Sequence, residues 1–299
     1  GVQTCALPIF SSSKTRNNAF EHNYLLLEWI ALCELLHSTQ QRRSLRPTTF
    51  IRAMRQLAKT KHRNEFASAA QNDASEFFIF LVDCFHTALS RKVKMTVKSK
   101  PDRNTDLDAL SIQCYQSVKN SFAKDYSEIY SLFYCTQVTR LNTNDVVRNI
   151  PEPTFVIYLP IVGTHPTLLD CFDKYVEDEI VECDKPTTKN IAFWNLPNIV
   201  VINLKRFNSN NTKNMTEVQF PLINLDLSKY IIGYNPEKYV YDLYGVCNHF
   251  GQTSRGHYTA HIKVGDQWFH ADDDDVIPVN DTEVCQKNAY CLFYTKRCE

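Results

Sequence analysis

The chain has 299 residues, 43% of them hydrophobic and 12% aromatic, enough to bury a large core as one elaborate domain or two smaller ones. Lys plus Arg and Asp plus Glu both number 33, so no overall field draws it to nucleic acid or to a membrane surface, and neither partner is expected. It holds no run of about 18 apolar residues for a bilayer-spanning helix and no recognisable signal peptide, and its 11 scattered cysteines fit a reducing compartment, so a cytoplasmic or nuclear location is expected.

The first methionine is Met54. Gly1 to Ile9 resembles one reading frame of a common sequencing-library adapter and is expected to be an assembly artefact, with Phe10 as the first native residue. Cys5 is followed by Pro8 and by Ser11 to Ser13, not by the helix that would activate a nucleophilic cysteine. From Asn23 to His37, Leu26, Leu27, Ile30, Leu32, Leu35 and Leu36 recur at three- and four-residue spacing, which predicts a largely buried helix. A second helix with Phe50, Ile51, Met54 and Leu57 follows Pro47, and Lys59 to Asn64 reads as a solvated basic loop. Asp73 as N-cap with Glu76 three residues later opens the clearest helix. Its apolar stripe is Ala74, Phe77, Phe78, Leu81, Val82, Phe85 and Leu89. Residues 91–125 read as a polar surface excursion with short helical patterns from Leu107 to Val118.

From Tyr126 onward the pattern turns to short β-like runs at Ile129 to Tyr134, Thr154 to Pro160, Ile191 to Phe193 and Ile199 to Leu204. Thr167 to Tyr175 looks like a short helix, and Asn208 to Thr216 reads as a mobile loop by composition. Tyr241 to Phe250 and Ala289 to Tyr294 are two further strands, which flank a hairpin. There is no internal repeat and no Gly-rich phosphate loop.

That hairpin carries the chemistry. One strand starts at His257, the turn lies in Val264 to Gln267, and the return strand holds Trp268 and Phe269 before the acidic run Asp272 to Asp275. A two-residue turn at Gly265-Asp266 sets His257 opposite Asp274, whereas a four-residue turn from Lys263 to Asp266 sets it opposite Asp272. Strand parity sends Asp273 and Asp275 to the other face. An opposed carboxylate can hold an imidazole by its Nδ1–H, which is the base and orienter of a nucleophilic hydrolase.

Six blocks in order resemble the ubiquitin-specific protease family of cysteine deubiquitinases. They are QNDASEFFIFLVD (Gln71 to Asp83), LPNIVVINLKRF (Leu196 to Phe207), VQFPLINLDLSKY (Val218 to Tyr230), YDLYGVCNHFG with GHYTAHIK, WFHADDDDV, and AYCLFY. The resemblance implies an α+β, papain-like cysteine protease with a helical thumb, an antiparallel β palm and inserted fingers. The corresponding segments are 10–125 for the thumb, 196–299 for the palm and 126–195 for the fingers, all within a catalytic domain at 10–299. It implies hydrolysis after the C-terminal Gly-Gly of ubiquitin by a protein acting as a monomer. His257 is then the general base, Asp272 the third catalytic position, which selects the four-residue turn, and Asp273 an adjacent acid supporting the oxyanion site. Gln71 and Asp73 would line the channel for ubiquitin's tail, Gly256 and Tyr258 would form part of its walls, and His249 and Phe250 lie on the loop before the histidine.

The chain departs from that family in three places. The family's cysteine box is represented only by Gln3-Thr4-Cys5, so the fragment is expected to lack the native nucleophile. Many members carry two Cys-x-x-Cys pairs for zinc. Here Val138 stands three residues after Cys135 and Pro186 three after Cys183, so neither a metal nor another cofactor is expected. Ala271 stands where an aromatic residue usually precedes the catalytic acid. Two other readings follow from the same residues: a ubiquitin-binding pseudo-enzyme, and a protease for a ubiquitin-like modifier.

Overall fold

The computed structural model describes residues 20–37, 45–96, 105–144, 146–181, 186–210, 212–252 and 255–297. The adapter-like segment with Cys5, and Cys183, lie outside the described residues. The chain divides into two units, Gly1–Lys92 with Asp125–Tyr130 and Val93–Lys124 with Ser131–Glu299.

The first unit is helical: α1 (Phe20–Leu36), α2 (Thr48–Thr60) and α3 (Ala74–Leu89). The α3 start is the one expected, with the Asp73 carboxylate accepting the N–H groups of Ser75 and Glu76 at 2.8 and 3.0 Å. Its buried face is rotated from the predicted stripe, because Phe80 and Cys84 are fully buried while Phe77 and Phe78 are only half-buried. The cause is packing on two sides: Phe66 stacks on Phe80 at 4.9 Å, and Trp29 of α1 sits 5.7 Å from Phe85 and 5.5 Å from Phe50 of α2. On α1, Leu25 and Leu26 are buried, whereas Leu27, Leu35 and Leu36 are exposed.

In the second unit, α4 (Asp106–Phe122) replaces the predicted surface excursion. Thr105 caps it by accepting the Asp108 N–H at 3.1 Å, and Leu110 and Cys114 pack on Val138, with Trp194 and Ile232 beside them. The run predicted as a strand from Ile129 is instead α5 (Glu128–Phe133), whose residues up to Tyr130 belong to the first unit, since so short an apolar run fits either period. A four-stranded antiparallel sheet follows in the order β2-β1-β5-β4, from β1 (Cys135–Thr143), β2 (Val146–Thr154), β4 (Glu179–Val181) and β5 (Thr187–Asn195). Pro151 and Pro153 hide β2 from a reading of the sequence, yet an edge strand tolerates them.

The larger sheet has eight strands in the order β11-β10-β9-β8-β12-β6-β3, with β7 (Leu225–Asp226) paired to β8. Its other members are β3 (Val156–Pro160), β6 (Ile199–Lys205), β8 (Val240–Gln252), β9 (Arg255–Val264), β10 (Gln267–Asp272), β11 (Asp275–Val279) and β12 (Ala289–Lys296). His249 and Phe250, expected on a loop, therefore lie on β8. The sheet is not wholly antiparallel as expected: β3 runs parallel to β6, and the intervening chain, including α6 (Leu168–Val176), supplies the long connection a parallel pair needs. Thr167 and Asp170 form a capping box at the start of α6. Leu168 and Phe172 on α6 pack with Ile202, Leu204, Trp268 and Leu292 into one core.

The Asn- and Ser-rich loop read as mobile is pinned. Arg206, fully buried, donates from Nε to the Ala289 carbonyl at 2.5 Å and from Nη1 to the carbonyls of Asn214 and Thr216 at 3.0 and 2.9 Å. Lys213 donates to the His249 carbonyl on β8 at 2.5 Å.

Candidate active site

The hairpin of β9 and β10 closes through the two-residue turn Gly265-Asp266, with Val264 paired to Gln267 and Gly265 at φ +59°. The four-residue alternative that the family resemblance selects is therefore replaced. Strand β10 ends at Asp272 because the chain turns again at Asp273-Asp274, pairing Asp272 with Asp275 on β11. His257 thus has no β10 residue directly opposite, and Asp272 reaches it diagonally from the same face. The longer diagonal separation requires the far end of the ring, and the contact is His257 Nε2 to Asp272 Oδ1 at 2.5 Å. The nitrogen facing the carboxylate is Nε2, not the Nδ1 expected, so Nδ1 is the ring's remaining nitrogen for proton transfer.

Asp273 also departs from expectation. Strand parity would point it away, but at φ +50° it belongs to the turn, and its carboxylate lies within 4.8 Å of both the His257 nitrogen and the Asp272 oxygen. Among the described residues this trio is the one group of three His, Cys, Asp or Glu side chains spaced to share a cation. The hydrogen bond to Asp272 raises the His257 pKa, burial opposes it, and the charges of Asp272 and Asp273 add to the rise. The pair is half exposed, with side-chain exposures of 47% and 46%.

A supporting network that the sequence reading does not contain lies on the same face. Asn248 pairs with Thr259 across β8 and β9, and its Nδ2 lies 3.0 Å from His261 Nδ1. His261 Nε2 in turn lies 3.2 Å from His270 Nδ1 on β10. With Asn248 donating, His261 is neutral and donates from Nε2 to His270. Burial, with the neighbouring His270 charge, pushes the His261 pKa down to about 4. The period-2 spacing of His257, Thr259 and His261, two of them imidazoles, is the signal that could have found it.

Register divides the other expected strand residues between the two faces. Phe250 pairs with His257, whereas His249 pairs with Tyr258 on the opposite face. His249 is 4% exposed, with its ring 5.2 Å from Phe207, 4.8 Å from Tyr258 and 6.0 Å from Tyr290. Gly256 lies under that ring: a Cβ there would meet His249 Nε2 at 2.0 Å. Gln71 and Asp73 belong to the helical unit, Gln71 exposed and Asp73 capping α3 while also accepting from Ser75 Oγ at 2.5 Å. Cys135 is a buried thiol whose pKa burial pushes up, which disfavours the thiolate a metal ligand would need.

A base held by a carboxylate at a strand end is the base-and-orienter pair that nucleophilic hydrolases share. The sequence model of the family described as ubiquitin carboxyl-terminal hydrolase matches residues 5–294, and the chain belongs to that family. Ubiquitin carboxyl-terminal hydrolase 9 of Arabidopsis thaliana is 38% identical over 146 residues, covering 44% of this chain and 16% of that one. Ubiquitin carboxyl-terminal hydrolase 2 of Gallus gallus is 30% identical over 300 residues, covering 90% of this chain and 79% of its own length. The human protein of the same name is 29% identical, and the chain spans 47% of it. The chain therefore spans well under two thirds of the plant and human relatives.

Among solved structures, the yeast SAGA DUBm with a mutant Sgf73 aligns at a TM-score of 0.69 and 20% identity, over 98% of this chain and 62% of that one. The SAGA DUB module of Ubp8, Sgf11, Sus1 and Sgf73 bound to monoubiquitin aligns at 0.69 and 22%, again over 98% and 62%. These likenesses establish the fold, the papain-like α+β arrangement expected from the sequence. No helix among the described residues is long and apolar enough to cross a membrane.

Proposed function

We propose that the protein is a thiol-dependent deubiquitinase, hydrolysing the peptide or isopeptide bond after the C-terminal glycine of ubiquitin. The observation that carries this is the 2.5 Å contact between His257 Nε2 and Asp272 Oδ1 in a chain matched by the family across residues 5–294. With Nε2–H donated to Asp272, His257 Nδ1 takes the proton of a cysteine thiol, and the thiolate attacks the carbonyl carbon. The imidazolium then returns that proton to the leaving amine, and water, deprotonated by the same nitrogen, cleaves the thioester to release the ubiquitin carboxylate and regenerate the thiol. Asp272 orients the ring and stabilises its charged form, and Asp273, beside it, is assigned to supporting the oxyanion site.

Gln71 and Asp73, Gly256 and Tyr258 on β9, and His249 and Phe250 on β8 are assigned to binding ubiquitin's C-terminal tail. The partners of such a site are ubiquitin and its conjugates, and the expected setting is the cytoplasm or nucleus. The domain is assigned to 10–299, with a thumb at 10–125, fingers at 126–195 and a palm at 196–299.

A second reading, a ubiquitin-binding pseudo-enzyme, is favoured by one observation: the cysteine at the family's nucleophile position, Cys5, lies in the adapter-like segment. Ubiquitin carrying a thiol-reactive C-terminus separates the two when mixed with the full-length gene product. A covalent adduct seen by intact mass supports the enzyme, and tight binding without an adduct supports the pseudo-enzyme. Adducts with a ubiquitin-like modifier but not with ubiquitin would redirect the substrate assignment.

A further inference from the structure

The helical unit carries a basic groove that the hydrolytic reading does not use. It has a volume of about 710 Å³ and is lined by Thr48, Ile51, Arg52, Arg55, Gln56 and Lys59 of α2, together with Ala67. Thr48, Arg52, Arg55 and Lys59 are spaced four, three and four residues apart, which sets them on one face of the helix. At about 1.5 Å rise per residue that row is roughly 16 Å long, the span of about five residues of extended chain.

Among the described residues, none of Arg52, Arg55 and Lys59 has a carboxylate within ion-pairing distance, whereas the neighbouring Lys61 and Arg63 pair with Asp83 and Glu65 at 2.6 and 2.5 Å. Arg55 Nε is buried with no hydrogen-bond partner among the described residues. Glu28 of α1 is engaged by the Tyr24 hydroxyl. The helix end adds the same sign, since α2 has no acidic residue in its first turn and no side-chain cap at Pro47. Lys59, read from sequence as the start of a solvated loop, is in the last turn of α2.

We propose that this face of α2 binds an extended, Asp/Glu-rich peptide segment of a partner protein. Three cations in a row along one helix match carboxylates on alternate residues of an extended strand, and half-buried Ile51 and Ala67 offer an apolar floor to their methylene groups. A nucleic acid fits less well, because among the described residues the groove lining has no aromatic side chain on which a base could stack.

The test is fluorescence anisotropy of fluorescein-labelled hexaglutamate titrated with the 299-residue chain. Hexaglutamate is expected to bind where hexaglutamine does not, with affinity falling about tenfold from about 50 to about 300 mM NaCl. The double variant Arg52→Gln/Lys59→Gln, both exposed positions, is expected to lose about tenfold, while Arg148→Gln on exposed β2 changes nothing. Matching thermal melts show that the variants are folded. Equal binding of the two peptides, an unchanged double variant, or tighter binding of a labelled oligouridylate would each overturn the proposal.

Discussion

Replacing Gly256 by alanine tests whether the strand entering His257 is held by close packing. A Cβ at Gly256 would lie 2.0 Å from His249 Nε2, 2.8 Å from His249 Cε1 and 2.9 Å from the Phe250 carbonyl oxygen. The His249 ring is 4% exposed and enclosed by Phe207, Tyr258 and Tyr290, so it has little room to withdraw. Phe250 is the residue paired with His257, so any adjustment of its backbone moves the imidazole. Overpacking of this kind costs about 1–3 kcal/mol. For 299 residues, an unfolding entropy of about 2.1 cal/mol/K per residue converts this to a fall in Tm of roughly 2–5 °C. Displacing His257 by a few tenths of an ångström to about 1 Å should lower kcat by about 10- to 100-fold. The assay is a thermal melt beside hydrolysis of a fluorogenic ubiquitin amide by the full-length gene product. Adding His249→Ala to Gly256→Ala should recover part of the stability, giving a coupling energy of about 1 kcal/mol. A Gly256→Ala protein that melts within about 1 °C of the wild type would refute the packing argument.

Three further outcomes follow from the same geometry. Asp272→Asn should lower the His257 pKa, read by imidazole NMR; because the native pKa is raised, the pair's stabilisation is present below about pH 6.5 and is lost as pH rises through that pKa, so the variant's deficit should shrink in alkali. His261 has the opposite sign: with its pKa near 4, the unfolded chain takes up a proton first, and stability should fall by about 3 kcal/mol between pH 6.5 and 4, a loss that His261→Phe removes from the melting-versus-pH curve. Arg206→Met should cost about 2–5 kcal/mol in urea unfolding, because it strips the carbonyls of Ala289, Asn214 and Thr216 of their shared donor.

The features legible in the sequence are those that local chemistry decides. Asp73 caps its helix because an acceptor before an apolar run has one favourable use, and Thr167 with Asp170 does the same for α6. The Ile199 to Leu204 run can be assigned because β-branched density is itself the signature of a buried strand. Features set by distant partners are hidden. The six residues of α5 are too few to show a period, and the prolines of β2 argue against a strand until its edge position is known.

The candidate site shows the same division. The hairpin and its two ends are legible, but the choice of carboxylate depends on where β10 stops. Four consecutive aspartates conceal the second turn at Asp273-Asp274, which ends the strand and brings Asp272 in diagonally. The same turn defeats the parity rule for Asp273. His261 and His270 escape notice because their meeting depends on the register that the Gly265 turn sets.

His257, held by Asp272, is proposed as the base of a ubiquitin hydrolase, and this is tested most directly by turnover of a fluorogenic ubiquitin C-terminal amide by the full-length gene product and its His257→Ala variant. A wild-type rate that falls by about 10²- to 10⁴-fold in the variant, with ubiquitin binding retained, is the predicted result. Wild-type turnover that survives the loss of His257 would contradict it.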